Sequence, residues 1–501
     1  MTSDTFTLAQ QLAEKGGWTE VAAVIDETTG ETYMHCEVHA EARALAEDFS
    51  RHGIGAGDHV GLLVGDRPAW MSAFLALQAL SAVPLVVNPD LDERSRSRML
   101  GILPTRHVVS CQGGELLVER RELPETGVHE WDERDWAASG ASRYYLFSSG
   151  TTGNPKAVAH ASTDLPFFHD AVCGADGLDL QATDIIVSLS QYYFTYGFNN
   201  QFVYPLFSGA SVVLSRERRN EVTFADALCQ YGATVAFSVP SALARLADHI
   251  ESSAIDTPAS LRAVVSAGEP LPDAVAARIE DRWQVPVLNQ IGSTEVGNAF
   301  CANGLARQAA GTAGRVCPGY DVALRADPDR PLPAGGSEHK IGSVWVSGPT
   351  IPATAITANG PEPLLSDGWL ETKDYGYWAD NGGLVVVGRA DDFVHVGGIS
   401  VSAIEIESAI RGDAGIEDCA VLAPLVEGVS TLTALVVLTS PADGADLRPT
   451  KLRERLRRDL DPFRVPKRWT LVPEIPRTAS GKIMRHKLPA LLGAGVVGRN
   501  Q

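Results

Sequence analysis

Apolar and polar positions along the chain switch repeatedly between the 3.6-residue spacing of a helix and the short apolar runs of buried strands. Helical spacing over residues 33–52 leads into an apolar strand at 59–64, and a second helix at 68–80 leads into a strand at 84–88. Further strands are predicted at 185–189, 211–214, 234–239 and 261–266, each followed by a turn or a helix. Such alternation places helices on the faces of largely parallel sheets, an α/β fold. Residues 326–340 (ADPDRPLPAGGSEHK) read as an exposed loop inside a β-rich region, with short strands at 342–347 and 383–387. After Arg389-Ala390-Asp391-Asp392 the pattern restarts as a strand, a Gly397-Gly398 turn, a helix at 403–411, strands at 418–424 and 431–438, and a helix at 448–460. The expected organisation is a large N-terminal domain of mixed sheets and helices with a β-rich subdomain, residues 1–390, and a small mobile α+β domain, residues 391–501. The smaller piece, about 110 residues, is an ordinary domain size.

Composition narrows the function. The 501 residues are 45% apolar and 21% charged, which excludes intrinsic disorder. With 42 basic against 62 acidic residues the net charge is −20, so no general attraction to nucleic acid or anionic lipid is expected. A local basic pocket for a phosphorylated small molecule remains compatible with that charge. The seven cysteines, at 36, 111, 173, 229, 301, 317 and 419, include no C-x-x-C pair and read as reduced core thiols. Asp4 and Glu14 stand where a signal peptide needs an apolar run, and the apolar stretch 69–87 is broken by Gln78 and Pro84. A cytoplasmic protein, monomer or homodimer, with no membrane partner is expected.

The segment Tyr144 to His160, YYLFSSGTTGNPKAVAH, carries the most chemistry. A strand runs into Ser148, Ser149, Gly150, Thr151, Thr152 and Gly153, and Lys156 follows. Glycines allow close approach of the main chain, amides and hydroxyls donate to phosphate oxygens, and the lysine adds a point charge. The spacing is not that of a Walker A loop, because Ala157 follows the lysine. Gly53, Gly55 and Gly57 do not form a dinucleotide fingerprint either, since Asp58 interrupts it; they read as a helix-to-strand turn.

This segment resembles the phosphate loop of the adenylate-forming superfamily of acyl- and aryl-CoA ligases, nonribosomal adenylation domains and luciferases. Four further blocks follow in that family's order: Ile291-Gly292-Ser293-Thr294-Glu295; Asp367-Gly368-Trp369 with Thr372-Lys373-Asp374; Gly388-Arg389-Ala390-Asp391-Asp392 with Gly397-Gly398; and Pro476-Arg477-Thr478-Ala479-Ser480-Gly481-Lys482-Ile483. The resemblance implies attack of a carboxylate on the α-phosphate of ATP, release of pyrophosphate, and passage of the acyl group to a thiol. Charge moves onto the phosphate oxygens in that step, so fixed donors and cations are needed there.

By the same resemblance the loop from Ser148 to Lys156 holds the β- and γ-phosphates, Thr294 meets the α-phosphate and Glu295 holds Mg2+, a hard cation suited to carboxylate oxygen. Gly268, Glu269 and Pro270 with Asn289, Gln290 and Ile291 line an adenine slot. Asp374 accepts from the ribose, with Arg389 nearby, and Lys482 bridges the carboxylate and the α-phosphate. Asp391 is the hinge between two domain arrangements, and Gly397 and Gly398 form the thiol-side loop. Two departures stand out. Lys373 replaces the family's usual glycine, so a different local backbone is expected, and His395 stands where relatives often have lysine.

The stretch 191–214, QYYFTYGFNNQFVYPLFSGASVVL, looks like benzoate-CoA ligases, with Phe194 where many members have histidine. That match implies that Thr195, Tyr196, Asn298 and Ala299 line the acid pocket, where aromatic side chains favour contact with an aryl ring. Asn298 and Ala299 leave room and offer an amide, pointing to a benzoate with an amino or hydroxyl substituent. The thiol is that of CoA or of a carrier protein's phosphopantetheine; a nitrogen nucleophile is a further acceptor. A non-catalytic binder is disfavoured by Lys482, Glu295 and Thr294, and a serine hydrolase by the lack of a G-x-S-x-G elbow.

Overall fold

The computed structural model describes residues 4–122, 142–149, 155–253, 255–326, 341–389, 392–396, 399–413, 415–426, 429–439, 449–460, 464–477 and 483–493. The chain forms two compact units, one of Met1–Val322, Val346–Glu371 and Asp380–Leu384, the other of Ala323–Trp345, Thr372–Ala379 and Val385–Gln501.

In the first unit six strands run parallel in the order Val287–Gly292, Ala263–Ser266, Val235–Ser238, Ile185–Ser188, Ser211–Leu214, Ala22–Asp26. Antiparallel strands flank this parallel core, Ala299–Ala302 with Arg315–Val316 beyond it on one side and Thr32–Met34 on the other. The central strands are continuous apolar runs such as AVVS and VAFS, buried at every position, as a sheet covered on both faces requires. Helices Glu221–Gln230, Pro240–Ser252 and Asp273–Trp283 lay Leu228, Leu243, Leu246, Ile279 and Trp283 against Val187 and Val264. A second sheet has Arg143–Ser149, Val83–Val86, His59–Leu63 and Thr105–Gln112 parallel at its centre. The helix Pro68–Ala79 is buried almost all round. Trp70 stacks on Tyr192 at 4.2 Å, and Phe74 meets Phe198 and Phe202 edge-on.

In the second unit helix Ala403–Arg411 and the strands Ile416–Leu422, Thr433–Leu438 and Arg468–Leu471 share a core containing Ile406, Val421, Val436 and Trp469. Glu407, 1% exposed, is gripped by Arg485 at 3.0 and 3.2 Å, and the same guanidinium holds Asp392 at 2.6 Å.

The α/β expectation holds, with local corrections. Residues 33 and 34 belong to the strand Thr32–Met34, not to the helix, which starts at His35. The Glu37 carboxylate accepts from the Met34 N–H at 2.8 Å, so the helix start is fixed by a cap that periodicity does not register. The strand before the phosphate loop extends to Ser149, and Lys156 lies on the antiparallel return strand opposite Ser148. All seven cysteines are free, but Cys229 is exposed, so it is no core thiol. Among the described residues no helix is long and apolar enough to cross a membrane.

The expectation for Lys373 is overturned. Its φ is +63°, so the backbone keeps the left-handed conformation that a glycine would supply. The exposed lysine accepts the strain because its neighbours are pinned: Thr372 Oγ1 donates to the Val344 carbonyl at 3.0 Å and accepts from the Asp374 N–H at 3.1 Å.

Three measurements test these points. Arg485→Leu removes the near cation from the buried Glu407 carboxylate, leaving it Arg411 at 3.9 Å and the Val421 N–H, and is expected to cost about 3 kcal/mol, read as loss of hydrogen-exchange protection in residues 403–438. Lys373→Gly is expected to stabilise by about 0.5–1 kcal/mol in urea unfolding, where the same change at an ordinary strand position destabilises. Burial pushes His35, His39, His59 and His160 down to about 4, so between their unfolded value near 6.5 and about 4 the unfolded chain binds protons that the native state refuses. Stability therefore falls as pH drops through that window. Asp66 and Asp164, raised by burial to about 6, act oppositely below that value but are outnumbered. The urea midpoint is expected to fall from about pH 7 to about pH 5, with a shallower slope in His59→Gln.

Candidate active site

A parallel sheet with both faces covered offers a ligand its strand ends, and the loops beyond the carboxyl ends are where such folds bind. Here parallel strands end at Ser188, Ser238, Ser266 and Gly292, and three of them lead directly into the segments that sequence reasoning singled out. Thr195 and Tyr196 follow the first, Gly268, Glu269 and Pro270 the third, and Thr294 and Glu295 the fourth.

These segments touch one another. Thr195 Oγ1 donates to Thr294 Oγ1 at 2.9 Å, joining the expected acid pocket to the expected α-phosphate contact. Tyr196 donates its phenol proton to the Val265 carbonyl at 3.0 Å, and its oxygen also meets the Gln290 side chain. Burial drives that phenol well above its usual range, so it stays neutral. Gly268 sits at φ +91°, a conformation that favours glycine. Glu269 accepts from the Ser241 N–H at 3.1 Å through one oxygen.

Several buried polar atoms here have no partner among the described residues: Ser266 Oγ, Asn289 Oδ1, Gln290 Oε1, the second carboxylate oxygen of Glu269, and Ser148 Oγ. Leaving buried polar atoms unpaired is costly, and their concentration along the strand ends is what a polar ligand's site looks like before binding. Of the phosphate-loop residues, Gly150, Thr151, Thr152 and Gly153 lie outside the described residues. Ser149 pairs with Pro155, and Lys156 forms an ion pair with Glu362 on the strand Gly360–Pro363.

Asn298 is buried, and its amide is engaged at both ends. Its Oδ1 accepts from the Tyr204 hydroxyl at 2.7 Å and its Nδ2 donates to the Phe168 carbonyl at 2.9 Å, leaving one N–H and one lone pair for other partners. Ala299 is buried next to it and pairs with Gly292. Ile291 lies opposite Cys301 on the same ladder. The aromatic stretch is helical from Thr195 to Ser208, with a π turn over Asn199–Val203. Such turns recur at functional sites. This one precedes Pro205, which has no N–H to give, and the Tyr192 hydroxyl donates to the Gln201 carbonyl at 3.4 Å.

In the second unit Asp374 is buried, and its Oδ1 lies 4.0 Å from Nε of Arg389, which also donates to the Thr372 carbonyl. Lys482, Asp391, Gly397 and Gly398 lie outside the described residues. Sequence reasoning missed His160, Asn199, Tyr204 and Thr350. Three of these, His160, Asn199 and Tyr204, were in the quoted stretches, yet nothing in their spacing distinguishes a positioning side chain from core packing.

The model of the AMP-binding enzyme family matches residues 9–353, and that of the AMP-binding enzyme C-terminal domain matches residues 405–482. The chain is 32% identical to p-hydroxybenzoic acid–AMP ligase FadD22 of Mycobacterium tuberculosis, over 96% of this chain and 68% of that protein. It is 29% identical to benzoate–CoA ligase of Thauera aromatica, over 95% and 93%. The crystal structure of the anthranilate CoA ligase AuaEII in complex with anthranoyl-AMP superposes with a TM-score of 0.79 at 24% identity, covering 96% of both chains. With matches spanning both its large N-terminal part and its C-terminal domain, the chain belongs to the AMP-binding, adenylate-forming enzyme family.

Proposed function

We propose that this chain activates an aromatic carboxylic acid of the substituted benzoate type with ATP and transfers the acyl group to the thiol of CoA. One observation carries the reading: the hydrogen bond between Thr195 and Thr294 joins the aromatic segment to the nucleotide segment, where the acyl–phosphate bond has to form. The likeness to a benzoate–CoA ligase and a p-hydroxybenzoic acid–AMP ligase supports an aryl acid.

In the first half-reaction the carboxylate oxygen bonds to the α-phosphorus, the bond to the bridging oxygen of the β-phosphate breaks, and pyrophosphate leaves. In the second, the thiol sulfur bonds to the acyl carbon, the thiol proton is lost, and AMP leaves with the former carboxylate oxygen. Residues 1–390 carry the acid and nucleotide sites and residues 391–501 carry Lys482, with Asp391 as hinge and Gly397 and Gly398 on the thiol side. Ser148, Ser149, Gly150, Thr151, Thr152, Gly153 and Lys156 cradle the outer phosphates; Lys156 must exchange Glu362 for phosphate to do so. The unpartnered Ser266 and Asn289 oxygens fit the amino group and ring edge of adenine, beside Gly268, Glu269, Pro270, Gln290 and Ile291. Asp374 and Arg389 serve the ribose.

Among the described residues no three His, Cys, Asp or Glu side chains cluster to hold a metal ion unaided. Glu295 alone fits Mg2+, which keeps several water or phosphate ligands and supplies charge neutralisation at the phosphates. Thr195, Tyr196, Asn298 and Ala299 line the acid pocket. A second reading is transfer to the phosphopantetheine of a carrier protein; the likeness to a protein named as an AMP ligase supports the adenylate that both readings share. A nitrogen nucleophile is the remaining acceptor. A cytoplasmic location belongs to the same reading.

Acid-dependent pyrophosphate release across benzoates, cinnamates and fatty acids tests the first half-reaction. Turnover is expected for aryl acids, and strong turnover of fatty acids alone would reject the aryl reading. Lys482→Ala is expected to lose about 10²–10³ in adenylation rate, the scale of one lost transition-state donor. Supplying CoA or a phosphopantetheinylated carrier then separates the acceptors.

A further inference from the structure

The turn bearing Thr294 and Glu295 is held by its carbonyl oxygens, each from a different part of the fold. His160 Nε2 lies 2.8 Å from the Thr294 oxygen, Thr350 Oγ1 donates to the Val296 oxygen at 2.9 Å, and Asn199 Nδ2 donates to the Gly297 oxygen at 2.7 Å. His160 stands on the strand Pro155–Ala161, Asn199 on the π turn, and Thr350 just before the strand Thr354–Thr357. The three side chains are 2%, 5% and 2% exposed, for His160, Thr350 and Asn199 in turn. The turn also closes on itself, Gly297 N–H to the Ser293 carbonyl at 3.0 Å and Val296 N–H to Ser293 Oγ at 3.3 Å.

A carbonyl oxygen only accepts, so the proton at this contact is on Nε2 of His160. The Thr294 carbonyl belongs to the peptide between Thr294 and Glu295. Rotation of that peptide changes ψ of Thr294 and φ of Glu295 together, and so moves both side chains relative to one another. A bond that fixes this one oxygen therefore fixes the hydroxyl and the carboxylate as a pair. The close fit reinforces it: a Cβ added to Gly297, at φ +82°, would come within 2.7 Å of the imidazole Cε1 and 2.5 Å of the Phe168 ring.

We propose that His160 is a positioning residue for adenylation, its Nε2–H holding the Thr294–Glu295 peptide so that hydroxyl and carboxylate are presented together. This rests on the function proposed above. Preorganised groups stabilise developing charge only if they stay in place, and displacements near 1 Å cost about 10² in rate.

The competing role is packing, since the imidazole also contacts the rings of Tyr144 and Phe168. Two variants separate the roles. His160→Phe keeps a buried ring and removes the donor; His160→Gln loses the ring and keeps an N–H that reaches the same carbonyl. Positioning predicts that His160→Phe loses about 10–10² in kcat of acid-dependent pyrophosphate exchange with KM for the acid within about twofold, and that His160→Gln stays within about fivefold of the parent. Amide exchange at Val296 and Gly297 is expected to rise about tenfold in the Phe variant and little in the Gln variant. Equal kcat in His160→Phe and the parent, or a worse result for Gln than for Phe, overturns the proposal. An inactive parent protein would instead reject the adenylation reading, and the amide exchange comparison would then decide the positioning of the turn by itself.

Discussion

Covering a parallel sheet on both faces leaves polar chemistry one place to gather, the carboxyl ends of its strands. The six parallel strands of the first unit are filled with Val, Ile, Ala and Phe because helices cover them on either side. Hydroxyl and amide groups therefore appear where the strands run out, at Ser188, Ser238, Ser266 and Asn289–Gln290. Ser188 and Ser238 bond to neighbouring backbone, whereas Ser266 Oγ, Asn289 Oδ1 and Gln290 Oε1 have no partner among the described residues; burying such atoms unpaired costs free energy that a ligand with complementary groups recovers. The need for a dry core thus gathers unpaired polar groups at the strand ends, where the candidate site lies.

The aromatic packing under the helix Pro68–Ala79 orients the segment proposed to line the acid pocket. Trp70 stacked on Tyr192, with Phe74 against Phe198 and Phe202, fixes the start and middle of the helical stretch containing Thr195 and Tyr196. Half-buried Asp66 adds to this by accepting from the Tyr192 N–H and the Gln201 amide. Rings of this size lose little freedom on burial relative to the area they remove from water, which makes them efficient struts. The hydroxyl of Thr195 then reaches Thr294 because its backbone is already placed.

Strain is kept where neighbours can enforce it. Lys373 holds a left-handed backbone because Thr372 bonds on both sides of it, and the adjoining Asp374 is buried beside Arg389. An Asp392–Arg485–Glu407 cluster similarly ties residues distant in sequence within the second unit.

The sequence by itself determined the fold class, most strand and helix centres, and the family, because apolar periodicity and five clustered motifs are local signals. Strands at 211–214 and 342–347 and the helix at 403–411 were legible to the residue, since apolar runs bounded by turn residues leave little freedom. The helix start at His35 was not, because a capping carboxylate and an antiparallel partner decide it. Nor was the conformation of Lys373, where hydrogen bonds to Thr372 outweigh an intrinsic preference. Only the tertiary structure decided that His160, Asn199 and Thr350 grip one turn, and that Tyr204 and the Phe168 carbonyl occupy the Asn298 amide. Those partners lie tens to more than a hundred residues apart in the chain, and a contact at that separation has no spacing to read until the sheet brings the strand ends together.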